Sequence, residues 1–352
     1  MYRFIMTTLF IFILALPGYA SVGFRQLTLD AQSSRPLPIT LWYPTRASGP
    51  PQATGENAAF YGESVIRNAE PEAGIHPLVL LSHGYGGSWR NLNWLAVALV
   101  AQGYSVAAPD HPGTSSENRD PAAARALWHR PEDISRLLDA LLQQPALAGR
   151  IDATRIAAMG HSLGGWTVMA LAGARFSAPA FLADCHQHRA FSDCKLAEKL
   201  GITSPENAPL LAANFRDGRI RAVVTLDAGV TRGFTKVTLS QMALPVLLLA
   251  AEKDAPDLPA SLESGFLAAH LPPSRVQVYR VGGANHFSFM QRCKPEGAAI
   301  IERASPGDGM ICHDGDARGR AVIHQAALAR ILPFLTAALA PAAGEKHSAS
   351  AR

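Results

Sequence analysis

A serine between small residues is the clearest chemical signal in this sequence. Residues 160–165 read GHSLGG and contain the pattern G-x-S-x-G around Ser162. The pattern follows an apolar run that ends at Met159, and a helical run begins at Leu163, which is the strand–turn–helix context of a nucleophile elbow. Such a turn is tight and holds the serine hydroxyl exposed at a strained backbone angle. The context therefore predicts a nucleophile at Ser162, the alternative being a glycine-rich turn with no chemical role.

The most favourable base for this serine is His286. A serine hydroxyl is a poor nucleophile unless a neighbouring base accepts its proton. Chains with such an elbow carry the acid and then the histidine after the serine. His286 directly follows the last apolar strand, within the segment 282–287 (GGANHF). His313 and His324 come next, but both lie within or beyond a cysteine-bearing stretch, so we predict that His286 is the base.

Two aspartates qualify as the acid that orients this histidine. Asp254 follows the apolar strand 245–251, which is the penultimate strand before the histidine. Asp227 follows the strand 220–226, one strand earlier. The position after the penultimate strand favours Asp254, with Asp227 as the alternative and Asp257 as a poorer third choice.

Two backbone N–H groups are needed to bind the oxyanion that forms when a serine attacks a carbonyl. Leu163, the residue after the nucleophile, is expected to supply one of them. The other is expected from the glycine-rich loop 83–87 (HGYGG), in which Tyr85 is the candidate. Glycines allow backbone amides to approach a ligand closely, although a glycine-rich turn is also common where a strand leads into a helix.

Strands and helices alternate along most of the chain and would position these residues. The alternation predicts a mostly parallel sheet with helices on both faces, preceded by an N-terminal hairpin. The predicted strands are 24–30, 38–43, 76–82, 104–108, 155–159, 220–226, 245–251 and 275–281, and the predicted helices are 91–102, 131–144, 163–174, 258–270 and 320–340. Residues 47–73 are predicted to be a loop, 175–218 and 291–319 to be insertions, and 341–352 to be a disordered tail.

The N-terminus has the order of features found in a secretory signal. Arg3 is followed by an apolar run from Phe4 to Leu16, and small residues precede Ser21. The run is shorter than the roughly 20 residues that a spanning helix needs. We therefore expect cleavage after Ala20, the alternative being an uncleaved membrane anchor, and export to the periplasm or the medium. No other segment is expected to be long and apolar enough to span a membrane. The mature chain is then a single domain over 21–340.

The four cysteines fit an exported protein. Cys185 and Cys194 lie in the first insertion, and Cys293 and Cys312 lie in the second. An even number in an oxidising compartment indicates two disulfides, with three possible pairings. Pairing of sequence neighbours would close one loop in each insertion. The alternative is a metal site that includes His188, but the spacing matches no standard zinc pattern.

Composition excludes two broad classes of protein. Of the 352 residues, 48% are hydrophobic and 17% are charged, which is not the composition of a disordered chain. Lys and Arg number 32 against 28 Asp and Glu, a net charge of +4 with no basic run. Such a balance does not indicate a nucleic-acid partner.

Several segments resemble a known family. They are 41–44 (LWYP), 82–86 (SHGYG), 160–165 (GHSLGG) and 286–289 (HFSF) with Cys293 following. On these segments the chain resembles secreted α/β-hydrolases of the dienelactone-hydrolase-like and platelet-activating-factor-acetylhydrolase-like group. The region around Tyr85 and from Asp254 to His286 also resembles bacterial cutinases. Dienelactone hydrolases have cysteine where this chain has Ser162, and the acetylhydrolases resemble Leu226-Asp227 at their acid.

The resemblance implies an α/β-hydrolase fold and the hydrolysis of carboxylic esters through an acyl-enzyme. It implies no cofactor and no metal, and a small-molecule or lipid ester as the partner. Two alternatives remain at this point. One is a lipid-directed hydrolase that removes short acyl chains, and the other is a non-catalytic binding protein on the same fold.

Overall fold

The computed structural model describes residues 21–255 and 257–341. The predicted signal segment 1–20 and all but the first residue of the predicted tail lie outside the described residues. The strands are β1 (Ser21–Leu29), β2 (Leu37–Thr45), β3 (Gln52–Thr54), β4 (Glu63–Arg67), β5 (Ile75–Ser82), β6 (Ser105–Pro109), β7 (Arg150–His161), β8 (Ile220–Leu226), β9 (Val246–Ala251) and β10 (Val276–Val281).

The helices lie mainly between and after the parallel strands. They are α1 (Asn93–Val100), α2 (Pro121–Arg125), α3 (His129–Gln143), α4 (Leu163–Ala172), α5 (Ala178–Gln187), α6 (Ser192–Leu196), α7 (Ala208–Leu211), α8 (Lys236–Ser240), α9 (Ala260–His270), α10 (Gly297–Ala304) and α11 (Arg320–Ala338). Short 3₁₀ turns cover Trp89–Leu92, Pro205–Asn207, Thr231–Gly233, His286–Phe289 and Asp308–Cys312.

One sheet contains these strands in the order β10-β9-β8-β7-β5-β6-β2-β1-β4-β3. The six strands from β10 to β6 pair in parallel, and β2 pairs antiparallel with both β6 and β1. The predicted hairpin and the mostly parallel sheet are therefore confirmed. The segment 47–73 was predicted as a loop, which is wrong in part because β3 and β4 extend the sheet beyond β1.

Both faces of the parallel strands are covered, which explains why they are continuous apolar runs. In β5, Leu78 and Leu80 belong to the core on one side of the sheet, and Val79 and Leu81 belong to the core on the other. All four side chains are fully buried. Because side chains alternate between the faces of a strand, a strand that is buried on both faces shows no alternation of apolar and polar residues.

Burial also distinguishes the helices. α3 buries Ile134, Leu137 and Leu138 on one face, as its spacing predicts. α4 is buried on all sides and ends at Gly173, whose φ of 109° is in the left-handed region.

The C-terminal helix α11 is long and apolar enough to cross a membrane by length and composition. The expectation that no later segment meets this criterion was therefore wrong. One face of α11, with Ile323, Ala327 and Ile331, is fully buried in the core against the sheet. Burial against the protein interior explains an apolar stripe of this kind without a membrane.

Each predicted insertion contains one disulfide. Cys185 bonds to Cys194, and Cys293 bonds to Cys312, so the pairing of sequence neighbours is confirmed. The first bridge joins α5 to α6, and the second joins the segment before α10 to the 3₁₀ turn after it. Because the sulfurs of Cys185 and Cys194 are bonded to each other, this pair offers no thiolates to a metal ion.

Candidate active site

Ser162 occupies the turn between β7 and α4 in a backbone conformation that few residues adopt. Its φ is 55° and its ψ is −120°. A Cβ atom on Gly160 would overlap the backbone of Gly164, and one on Gly164 would overlap the Ser82 carbonyl group. Only glycine fits at these two positions, so the G-x-S-x-G spacing follows from close backbone contacts on both sides of Ser162.

Asp227 and His286 form a buried hydrogen-bonded pair. His286 begins the 3₁₀ turn after β10, and its Nδ1 lies 2.7 Å from Oδ2 of Asp227. The other carboxylate oxygen of Asp227 accepts the Ala251 N–H at 2.8 Å. The side chains are 6% and 3% exposed, so the contact is shielded from water. The ring nitrogen Nε2 has no hydrogen bond to any described residue.

The expectation that Asp254 would orient His286 is corrected by this geometry. Asp254 is exposed, and its carboxylate accepts the Ser261 hydroxyl at 2.6 Å and the Ser261 N–H at 3.3 Å. These contacts place it at the start of α9, where a carboxylate stabilises unpaired N–H groups. Asp257, the third choice, is also engaged elsewhere, since its carboxylate accepts the Ser192 hydroxyl.

The residues after Asp227 carry a signal that the sequence interpretation did not use. Asp227 has a φ of 46°, so it turns the chain sharply at the end of β8. The Gly229 N–H then donates to the Ser162 carbonyl oxygen at 3.1 Å. A Cβ atom on Gly165 would lie 2.6 Å from the Ala228 Cβ. The small residues in the segment 226–229 (LDAG) thus let this loop lie against the elbow.

His161, the residue before the serine, fixes the position of His286. Its Nε2 lies 2.8 Å from the His286 carbonyl oxygen, to which it donates. The two ring centroids are 4.8 Å apart. Burial lowers the pKa of His161 to about 3, so the ring is neutral at physiological pH. The structure shows no hydrogen bond between Ser162 and His286 among the described residues, whereas His161, the neighbour of Ser162 in the chain, contacts His286 directly.

The segments that carry the two expected oxyanion donors both lie next to Ser162. Leu163 is the first residue of α4, where a backbone N–H has no partner within the helix. Tyr85 follows Gly84, and a Cβ atom on Gly84 would lie 3.2 Å from the Ser162 Cβ. Gly84, in the loop after β5, therefore lies against the side chain of Ser162.

A cavity of about 350 Å³ opens beside this loop. Tyr85 and Phe287 line it near the serine and the histidine, and Met310 and Ile311 line it from the second insertion. Charged side chains also line the cavity, namely Arg119, Lys199 and Asp308. Residues of both predicted insertions therefore line this cavity, which adjoins Tyr85 and Phe287 but is not lined by Ser162 or His286 themselves.

Comparison with known proteins agrees with this architecture. A family model described as serine aminopeptidase, S33, matches residues 74–183. A solved ferulic acid esterase from Streptomyces cinnamoneus aligns with 93% of this chain and 92% of its own, with a TM-score of 0.62 at 21% identity. The chain has the α/β-hydrolase fold. The predicted fold class is therefore confirmed.

Curated relatives of this α/β-hydrolase include two cutinases of Thermobifida alba. Cutinase est2 is 29% identical over 36% of this chain and 42% of its own length. Cutinase est1 is 30% identical over 30% of this chain and 33% of its own length. The chain thus spans less than half the length of these relatives, and the predicted resemblance to bacterial cutinases is confirmed.

Proposed function

We propose that this α/β-hydrolase cleaves carboxylic esters, with Ser162 as nucleophile, His286 as base and Asp227 as the orienting acid. The observation that carries the proposal is the buried 2.7 Å contact between Asp227 and Nδ1 of His286. That contact holds the imidazole with Nε2 free to take a proton. The strained turn at Ser162 and the resemblance to cutinases support the same chemistry.

The reaction has two steps. Nε2 of His286 takes the hydroxyl proton as Ser162 Oγ bonds to the ester carbonyl carbon, and the N–H groups of Tyr85 and Leu163 bind the resulting oxyanion. The proton then passes to the leaving alcohol as the C–O bond breaks, and an acyl-enzyme remains. His286 next takes a proton from water, which attacks the acyl carbon, and the acid leaves as the proton returns to Ser162.

Export is part of the proposal. The signal-like order of residues 1–20 and the two disulfides both fit an oxidising compartment. An ester bound at Ser162 would extend past Tyr85 and Phe287 into the neighbouring cavity of about 350 Å³, a volume that suits a small ester better than a long lipid chain. Because a family model described as serine aminopeptidase matches part of the chain, an amide is the comparison substrate for the ester.

Matched substrates and variants test this proposal. Wild-type protein is assayed on aryl esters of graded acyl length, on a phospholipid and on an aminoacyl arylamide. We expect turnover of short esters that exceeds that of the amide and the phospholipid. Ser162→Ala should fold normally and lose this turnover and its labelling by a fluorophosphonate. Ser240→Ala, an exposed serine away from the cavity, is the control. Wild-type-like turnover by Ser162→Ala would refute the proposal.

A further inference from the structure

A buried arginine lies beneath the elements that carry both oxyanion donors. Arg130 belongs to α3 and is 2% exposed. Its Nε donates to Thr167 Oγ1 at 3.0 Å, and its Nη1 donates to Thr114 Oγ1 at 2.6 Å. Its Nη2 donates to Ser82 Oγ at 3.1 Å and to the His83 carbonyl oxygen. All three guanidinium nitrogens are therefore engaged.

These contacts hold the chain on both sides of Tyr85. The His83 carbonyl group, which accepts from Arg130, lies two residues before Tyr85. Thr114, whose hydroxyl also accepts from Arg130, receives the Gly86 N–H on its carbonyl oxygen at 2.8 Å. A displacement of the guanidinium would thus move both ends of the segment that carries the Tyr85 N–H.

The same arginine reaches the other donor through one threonine. Thr167 lies one turn after Leu163 on α4, and its hydroxyl donates to the Leu163 carbonyl oxygen at 3.2 Å. That hydroxyl also accepts the Arg130 Nε–H. One planar group therefore links the loop after β5 to the first turn of α4. Because the guanidinium fork is rigid, it fixes the spacing between the two segments.

Arg130 makes no direct ion pair with a described residue. The nearby Asp133 carboxylate favours the charged form of Arg130 but pairs directly with Arg35 at 2.5 Å and with His111 at 3.0 Å. Burial lowers the pKa of Arg130 to about 9, so the group stays charged at neutral pH. Burying a charge among neutral acceptors is costly, which makes a purely stabilising role a poor explanation.

We infer that Arg130 is a positioning residue that sets the distance between the Tyr85 and Leu163 N–H groups. This inference rests on the proposed ester hydrolysis at Ser162. Misplacement of a reacting group by about 1 Å can cost on the order of 10² in rate. Because the donors act on the oxyanion rather than on the bound ester, the loss should fall on kcat and leave KM within about threefold.

The experiment compares an ester with its thionoester, in which sulfur replaces the carbonyl oxygen. Sulfur is a weak hydrogen-bond acceptor, so the ratio of ester to thionoester turnover reports on the two donors. In Arg130→Met we expect kcat for the ester to fall on the order of 10² and this ratio to fall about tenfold. Arg130→Lys should behave similarly, because an ammonium group lacks the fork.

Two further variants keep the inference testable if Arg130→Met folds poorly. Thr167→Val removes only the link to Leu163, so we expect the same change in ratio with a smaller amplitude. Arg155→Met is the control, since the partly buried Arg155 donates to the Leu339 carbonyl oxygen at the end of α11 and contacts neither donor segment. It should lose stability and keep the wild-type ratio.

The possible failures are distinguishable. If wild-type protein turns over no ester and Ser162 is inert, the proposed function fails, and this inference fails with it. If wild-type protein is active while Arg130→Met and Thr167→Val keep its substrate ratio, this inference alone is overturned. Full rescue of kcat and of the ratio by Arg130→Lys would also overturn it, because charge rather than geometry would then be sufficient.

Discussion

The orientation of one imidazole ring depends on which carboxylate contacts it. Asp227 holds Nδ1 of His286, whereas Asp254 contacts Ser261. Asp227→Asn would favour the wrong tautomer of His286, and we expect turnover to fall by about 10⁴. Asp254→Asn should change turnover only slightly and reduce stability by about 0.5–1 kcal/mol through the lost contacts at α9. The measurement is kcat per folded molecule for both variants. A large loss in Asp254→Asn with little loss in Asp227→Asn would contradict this assignment.

The elbow depends on how closely β7, α4 and the loop after β5 approach each other. A Cβ atom on Gly160 would overlap the backbone of Gly164, so Gly160→Ala must push this turn apart. We expect a loss of stability of about 1–3 kcal/mol, and a loss of turnover on the order of 10² as Ser162 moves. Gly218→Ala is the control, because a Cβ atom there meets no atom within 4 Å. Urea unfolding and ester turnover are measured for both variants, and equal effects would show that the close approach is not required.

The stability of the whole molecule should depend on buried neutral histidines. Burial lowers the pKa of His161 and of His324 to about 3, and it lowers those of His83 and His111 well below the ordinary value of 6.5. Because the folded-state pKa is the lower one, the unfolded chain takes up protons first. The stability that these histidines contribute is therefore fully present above pH 6.5 and is lost as the pH falls towards 3. Each proton taken up adds a slope of about 1.4 kcal/mol per pH unit.

Urea unfolding between pH 7 and pH 4 checks this dependence. His324 stacks on Trp94 with ring centroids 3.6 Å apart, and His324→Gln removes one buried neutral ring. We expect this variant to be less stable at pH 7. On acidification its free energy of unfolding should fall less steeply, because unfolding takes up about one proton fewer than in the wild type. Ser240→Ala, at an exposed position without a titratable group, should keep the wild-type slope. An unchanged slope in His324→Gln would refute the explanation.

The sequence by itself determined the features that are recorded locally along the chain. The elbow at Ser162 follows from glycine spacing between a strand and a helix, and the position of His286 follows from the end of the last strand. The alternation of apolar runs determined the sheet and the covering helices. The even number of cysteines indicated two disulfides, but the choice among the three possible pairings came from the structure.

Only the tertiary structure decided which groups from distant segments meet. Asp227 and Asp254 both follow parallel strands, so their positions in the sequence were nearly equivalent. The N–H of Asp227 donates to the Leu249 carbonyl oxygen, and its carboxylate accepts the Ala251 N–H, which directs it to His286. The hydrogen bond from Arg130 to Ser82, just before the loop that carries Tyr85, likewise joins residues that are 48 positions apart in the sequence. Such contacts depend on strand register and side-chain direction, which no local pattern records.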